Sequence, residues 1–351
     1  MKIVAMDLGK SKTVVCYYDS ANGAHRFVTV RTQPQIIHDV IIAEQADRVV
    51  IEVGSSAGWI FDMAVSLGIT AQVANTNHEA WRWKNVKKKA DRDDALRLAR
   101  LSASDQLPLV HMPKQEVRQK RATIAYRQSL IARRTAIKND IRAILDREGL
   151  TMASGKSGWT QESCAYLQSL ARPIDQCKET ELWRGQLHVE LQQYEAIEVA
   201  IKQVQDKLDE LGRSDKRIQL LQTIPGVGPR MAEAVVAYID DPSRFKSGKQ
   251  VGSYFGITPR QFQSGSMDRS GGISKMGNAL VRTLLVEVSW LGLRNNPWLR
   301  ALYERVMRGT KSRKKIAIVA VARKLLVVCW AMLRDNRRWK MPEWVNNKAA
   351  A

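Results

Sequence analysis

Four carboxylates stand where their spacing permits metal-ion chemistry. Asp7 closes the apolar run "KIVAMD", Glu52 closes "RVVIE", and Asp91 and Asp94 lie three apart in "ADRDDALRLARL". Helix positions three apart share a face and adjacent positions do not, so Asp91 and Asp94 project together while Asp93 turns away. Carboxylate oxygens are the hard donors that Mg²⁺ prefers. Two such ions about 3.5–4 Å apart clamp the attacking and leaving oxygens of a phosphodiester. Each acid alone has a plainer role: Asp7 opening the Gly9 turn, Glu52 pairing with a base, Asp91 capping a helix. The ordered set is what points to a metal.

A second segment with chemistry in it is "PRQFQSGSMDRSGGISKMGN", residues 259–278. Its composition predicts a flexible polar loop suited to close approach of a backbone. Ser264, Ser266, Ser270 and Ser274 all supply hydroxyls. A serine attacks a phosphodiester only if its proton is removed or its alkoxide is stabilised. Arg260, Arg269, Lys275 and Arg282 are placed to stabilise the developing phosphorane charge. Composition does not choose among the serines.

The elements that must hold these groups can be read from periodicity. "KIVAMDLG", "KTVVCYY" and "HRFVTV" predict three strands, broken by Gly9 and by "SANG". Helix "QIIHDVIIAEQA", strand "RVVIEVG", helix "AGWIFDMAVSLG" and strand "TAQVAN" follow, then the Asp91 helix. That order resembles an RNase H-like or RuvC-like fold, a mixed sheet with acids at its strand ends.

A long basic helix is predicted near 114–148, ending at Gly149, and a second one carries Leu187, Leu191, Tyr194, Ile201, Val204, Leu208 and Leu211. The spacing of that seam fits an antiparallel hairpin and an intermolecular coiled coil equally. "LLQTIPGVGPRMAEAVVAYI" has the form of helix, glycine hairpin, helix, where Gly226 and Gly228 let backbone amides approach a phosphate. The expected architecture is α/β plus all-α: residues 1–110 as a mixed-sheet domain, 111–215 as a helical or coiled-coil region, and 216–351 as a mainly helical C-terminal domain.

Charge supports a polyanion partner. Lys+Arg number 56 against 35 Asp+Glu, a net of +21. Residues 1–110 hold 14 basic and 12 acidic side chains, and the remainder 42 and 23. The later two thirds thus form the surface suited to phosphates, which release counterions as they are neutralised. Candidate contacts are the clusters Lys87, Lys88 and Lys89; Arg127, Arg133 and Arg134; and Arg313, Lys314 and Lys315.

Four cysteines without CxxC spacing argue against a zinc site or disulfide framework and suit a reducing cytoplasm. The start of the chain has no long apolar signal-like run. The apolar stretch "IAIVAVARKLLVVCWAML" is interrupted by Arg323 and Lys324, so a buried helix rather than a membrane span is expected.

Together, "AMDLGKSK", "IEVGSSAGW", "KKKADRDDALRLARL", "RQSLIARRTAIKNDI", "TIPGVGPRMAEAVVAYI" and "GITPRQFQSGSMDRSGGISKMGNALVRTLL" resemble, in order, the DEDD transposases of IS110-type insertion sequences. The resemblance covers nearly the whole chain. It implies a RuvC-like domain whose four acids are Asp7, Glu52, Asp91 and Asp94, binding Mg²⁺. It selects Ser264 as the nucleophile that forms a transient phosphoserine bond to DNA, with Ser266 as nearest rival. It implies donor and target DNA, a structured non-coding guide (bridge) RNA, and a homo-dimer or homo-tetramer in which one subunit's acids meet another's serine. A metal-only RuvC-like nuclease of the Holliday-junction resolvase type is the alternative, and a non-catalytic nucleic-acid-binding protein is a further one.

Overall fold

The computed structural model describes residues 1–76, 90–264 and 267–346, and the chain divides into two compact units, Met1–Arg118 and Gln119–Ala351. The Lys87–Lys89 cluster and Ser266 lie outside the described residues.

The first unit contains the expected mixed sheet. Strands β1 (Lys2–Leu8), β2 (Lys12–Asp19), β3 (His25–Arg31), β4 (Arg48–Glu52) and β5 (Thr70–Ala74) lie in the order β3-β2-β1-β4-β5. β2 runs antiparallel to β1 and β3, whereas β4 runs parallel to β1 and β5. This is the RuvC-like arrangement, and its strands form because β1 and β4 are apolar runs buried on both faces.

One face packs Val4, Met6, Val15, Val49 and Ile51 against Ile37, Ile41 and Ile60 of helices α1 (Pro34–Ile42) and α2 (Ala57–Ser66). The other packs Ile3, Ala5, Cys16 and Val50 against Ala95, Leu98 and Ala99 of α3 (Asp91–Ala103). The small Ala95 and Ala99 let α3 lie close to the sheet.

Among its described residues, the second unit is helical apart from one hairpin. Helices α4 (Gln115–Arg147) and α6 (Leu182–Ser214) form an antiparallel pair, seamed by Ile137, Ile141, Ile144 and Leu145 against Leu187 and Leu191. Bonds from Arg127 to Gln205, Arg134 to Glu198 and Arg147 to Gln186 fix the opposed directions. The Leu187–Leu191 part of the seam is therefore covered within one chain, while Leu211 is exposed. Short α5 (Gln161–Leu170) packs beside α6.

Beyond these come α7 (Lys216–Leu221), α8 (Pro229–Ile239), α9 (Gly248–Tyr254), α10 (Ala279–Asn295), α11 (Pro297–Met307), α12 (Lys314–Asp335) and α13 (Glu343–Asn346). Helix α12 has the length and composition to cross a membrane, yet half of that stretch is buried within the unit. Val321, Leu325, Leu326 and Cys329 lie in the core against α8, α10 and α11, so it is a core helix, as expected.

Residues 259–278 depart from the expected loop. They form an antiparallel hairpin of β6 (Pro259–Ser264) and β7 (Met267–Ile273), with Phe262 opposite Arg269 and Ser264 opposite Met267. Strand pairing overrides the poor intrinsic propensity of its glycines and serines.

Candidate active site

In the parallel register of β1 and β4, Met6 stands opposite Ile51, and Asp7 and Glu52 are the next residues on each strand. Neighbouring strands run about 4.7–4.9 Å apart, so the two acids leave the sheet side by side at its carboxyl edge. Strand alternation puts Asp7 on the face of Ile3 and Ala5, and Glu52 on that of Val50. That is the face α3 covers. The chain winds outward in one direction from β1 and in the other from β4, and such switch points at strand ends are where open sheets bind ligands.

Helix α3 brings the other two acids to the same face. Asp94 is only 6% exposed and adjoins the buried Ala95 and Leu98, while Asp91, one turn earlier, and Asp93 are both exposed. The far end of α3 is locked to the sheet. Arg48 donates to the Ser102 carbonyl at 2.8 Å, and the Ser102 hydroxyl donates to Gln72 Oε1 at 2.7 Å. This anchor fixes which turn of α3 reaches the strand ends, a role that sequence reasoning did not assign.

The turn after Asp7 is equally constrained. A Cβ on Gly9 would lie 2.3 Å from the Lys12 carbonyl oxygen. The Thr32 hydroxyl donates to the Gly9 carbonyl at 2.9 Å and meets the buried Thr13 hydroxyl at 2.9 Å.

These acids fit a hard divalent ion in donor chemistry and in shared sheet face. Asp7, Glu52 and Asp94 each have an interaction partner in this structure, and among the described residues no three His, Cys, Asp or Glu side chains converge into a ready metal cage. The register of β1 and β4 brings Asp7 and Glu52 to one edge of the sheet.

Ser264 is the last residue of β6, immediately before the Gly265–Ser266 step that links the strands. The hairpin base is built by two glycines with positive φ. A Cβ on Gly256 (φ 65°) would lie 1.8 Å from the Met276 carbonyl oxygen, and one on Gly277 (φ 88°) 2.0 Å from that of Tyr254. Arg282 NH1 donates to the carbonyls of Phe255, Met276 and Gly277 at 3.1, 3.4 and 2.9 Å. That nitrogen braces the hairpin base.

Gly256→Ala is expected to destabilise the second unit by at least about 3 kcal/mol, since left-handed backbone alone costs about 1–2 kcal/mol and the clash adds to it. Thermal melting checks this, and a drop of about 6–12 °C is expected for a unit of this size.

The remaining candidate contacts fall into two groups. Arg133, Arg260, Arg269, Lys275, Lys314 and Lys315 are exposed, and Arg313 is half-buried. Arg260 also donates to the Ser274 carbonyl at 3.1 Å. Lys314 and Lys315 begin α12, where cationic side chains oppose the positive helix end, so their presence there does not serve helix stability. Arg134 is half-buried and bonds Glu198 at 3.3 Å.

Arg127 is a correction. It is 3% exposed, bonds Gln205 at 3.0 Å and sits 3.7 Å from Glu233, so its charge is engaged within the fold.

The helix–hairpin–helix form is present as α7, a hairpin and α8. Gly228 is the exposed N-cap of α8 and Pro229 its first residue. Gly226 (φ 92°) has a further demand on it: a Cβ there would meet Gly292 Cα of α10 at 3.2 Å. At the opposite end of α8, Arg121 donates to the carbonyls of Ala237 and Tyr238 at 2.8 and 3.3 Å. Arg244 donates to those of Tyr238 and Ile239, each at 3.1 Å.

Comparison with known proteins places these features in context. A DEDD transposase model of IS110 type matches residues 4–149, and a "Transposase IS116/IS110/IS902 family" model matches residues 218–304. The transposase for insertion sequence element IS1111A of Coxiella burnetii is 29% identical over 97% of this chain and 92% of its own. A probable family 20 transposase of Pseudomonas aeruginosa is 27% identical over 70% of this chain and 72% of its own. The pilin gene-inverting protein of Moraxella lacunata is 34% identical over 34% of this chain and 38% of its own.

Proposed function

Because the chain belongs to the IS116/IS110/IS902 family of transposases, enzymes that act on DNA, we propose that it is an RNA-guided recombinase that excises and inserts its own insertion sequence. The observation that supports this reading is that Asp7 and Glu52 stand at matched ends of neighbouring parallel strands, with Asp94 buried in the first turn of α3.

The Ser264 hydroxyl attacks a DNA phosphorus. A serine–phosphate bond forms, the bond to the leaving sugar oxygen breaks, and that oxygen takes up the proton as a free hydroxyl. Rejoining reverses the exchange with the hydroxyl of another strand, so no external energy source is needed. Asp7, Glu52, Asp91 and Asp94 would hold Mg²⁺, which when bound supplies Lewis-acid stabilisation of charge on the phosphate. Arg260, Arg269 and Lys275 of the hairpin neutralise the non-bridging oxygens. The N-terminal domain, residues 1–110, supplies the acids; residues 111–215 and the C-terminal domain, 216–351, supply the guide RNA and DNA surface. A dimer or tetramer working in the bacterial cytoplasm on the nucleoid completes the reading.

The test is a trapped intermediate. The full chain is incubated with Mg²⁺, labelled DNA carrying the element junction, and RNA transcribed from the element's non-coding end, then denatured. A denaturant-stable protein–DNA adduct that depends on the RNA is expected, with phosphoserine at position 264 by mass spectrometry. Cleaved DNA without any adduct would establish the metal-only nuclease instead. An adduct that forms equally without RNA would remove guidance.

A further inference from the structure

A groove of about 270 Å³ lies between the base of the β6–β7 hairpin and the first turns of α12. Ile316, Val319 and Arg323 line it from α12, and Pro259, Gly272 and Ile273 from the hairpin. Ile316 is 61% exposed, whereas Ile318, two residues on, is 2% exposed. Lys315 and Arg323 are both exposed at the groove, and no acidic side chain lines it among the described residues. Arg323 breaks the apolar run of α12, and its stem lies beside α9, with Cδ 3.8 Å from where a Gly252 Cβ would stand.

Gly271 and Gly272 stand opposite the single residue Arg260, as in a β-bulge. Neither takes the left-handed backbone that obliges glycine. A Cβ on Gly271 would press on Phe262 Cε2 at 3.2 Å, but one on Gly272 would meet nothing within 4 Å. Glycine weakens a strand interior and marks places where a ligand approaches the backbone closely. No described neighbour requires it at position 272, so the demand comes from outside the chain.

The occupant must therefore offer an apolar body to the walls and negative charge to Lys315 and Arg323. A second copy of this chain, with its net charge of +21, would set positive charge against positive charge, so a polyanion is favoured. A nucleotide has the required form: flat base and sugar faces between two phosphates. The lining side chains include no hydrogen-bond acceptor. A ribose 2′-hydroxyl buried there would lack a side-chain partner, which favours DNA over RNA. Nor do the walls carry the donors and acceptors that tell bases apart, so any base fits. A paired base is held inside its stack, and only one turned out of it can enter.

We infer that this groove holds one unpaired nucleotide of a DNA strand, its base and sugar against Ile316, Val319 and Ile273 and its flanking phosphates on Lys315 and Arg323. The inference rests on the reading of the hairpin as the element that acts on DNA. It adds a site that positions the strand without touching the reacting phosphate. β6 carries the groove at Pro259 and Ser264 at its other end, about 17 Å along the strand. A nucleotide seated in the groove thus fixes the strand's course toward the serine.

Fluorescence anisotropy of the full chain with short oligothymidine, and with an abasic DNA strand of equal length, separates base from phosphate. Ile316→Gln should weaken oligothymidine binding about fivefold, the worth of covering an isoleucine that is now mostly exposed. It should leave the abasic strand and oligouridine unchanged. Lys315→Gln should weaken both DNA strands alike and lower the slope of log affinity against log salt by about 0.7, the value for one phosphate of a single strand. Both positions are exposed and glutamine is a good helix former, so the variants should melt with the wild type. Unchanged oligothymidine binding by Ile316→Gln, or an equal loss on the abasic strand, would overturn the groove. An equal loss on oligouridine would overturn its assignment to DNA. Adduct formation at Ser264 with Ile316→Gln indifferent to bases sinks this inference alone, whereas failure of the wild type to bind any strand sinks the function on which it rests.

Discussion

Ser264→Ala is expected to remove both the protein–DNA adduct and strand exchange, by about 10⁴-fold or more, as loss of a covalent nucleophile does. The hairpin register separates three of the four candidates, Ser266 lying outside the described residues. Ser264 closes β6 at the tip of the hairpin, Ser270 pairs with Gln261 within the ladder, and Ser274 lies beyond it with its amide bonded to the Thr258 carbonyl. Ser270→Ala and Ser274→Ala should therefore keep activity within about threefold, the scale of a surface change of about ±0.5 kcal/mol. Gel assays of adduct and recombined junction, run on all three variants, decide it. Full adduct yield from Ser264→Ala would transfer the role to another residue.

The second large effect divides the aspartates of α3. Asp94→Asn and Asp7→Asn are each expected to reduce cleavage by about 10³-fold, because losing several kcal/mol of metal-borne charge stabilisation at 1.36 kcal/mol per decade amounts to that. Asp93→Asn should stay within about twofold: its side chain faces solvent on the helix side away from the sheet. Asparagine keeps the size of aspartate, so folding is controlled. The readout that separates a ligand role from a structural one is the Mg²⁺ dependence of cleavage: saturation should move to higher Mg²⁺ for Asp7→Asn and Asp94→Asn alone. Equal severity at Asp93 would end the division into facing and averted acids.

How far the sequence spoke differs by region. In the first unit, local signals and tertiary demand agree. "KIVAMDL" and "RVVIE" are apolar enough to be central strands, whereas the spacing in α3 did not show that Asp94 alone of its three aspartates is buried. The anchor of Arg48 on Ser102 was not legible, since nothing local ties the start of β4 to the end of α3.

In the second unit, long-range partners decide. Arg127 reads like any other cation in "AYRQSLIARR", yet Glu233 and Gln205, far along the chain, draw it inside. The hairpin was hidden by its own composition, because "SGSMDRSGG" lacks the β-branched residues that mark strands and depends on cross-strand pairing. The leucine seam of α6 disclosed a helical partner but not its identity: periodicity describes a surface, and only the fold reveals that α4 of the same chain covers Leu187 and Leu191.

The capping of α8 has one more consequence. A helix ordinarily offers an anion one attractive end and one repellent end, equivalent to roughly half a charge each. Here the repellent end is covered by two full positive charges, because Arg121 and Arg244 take up the carbonyls of Ala237, Tyr238 and Ile239. The peptide groups at Gly228 keep their usual sign, and the guanidinium groups reverse the sign at the far end. To a strand of phosphates, α8 is a bar magnet with both poles alike.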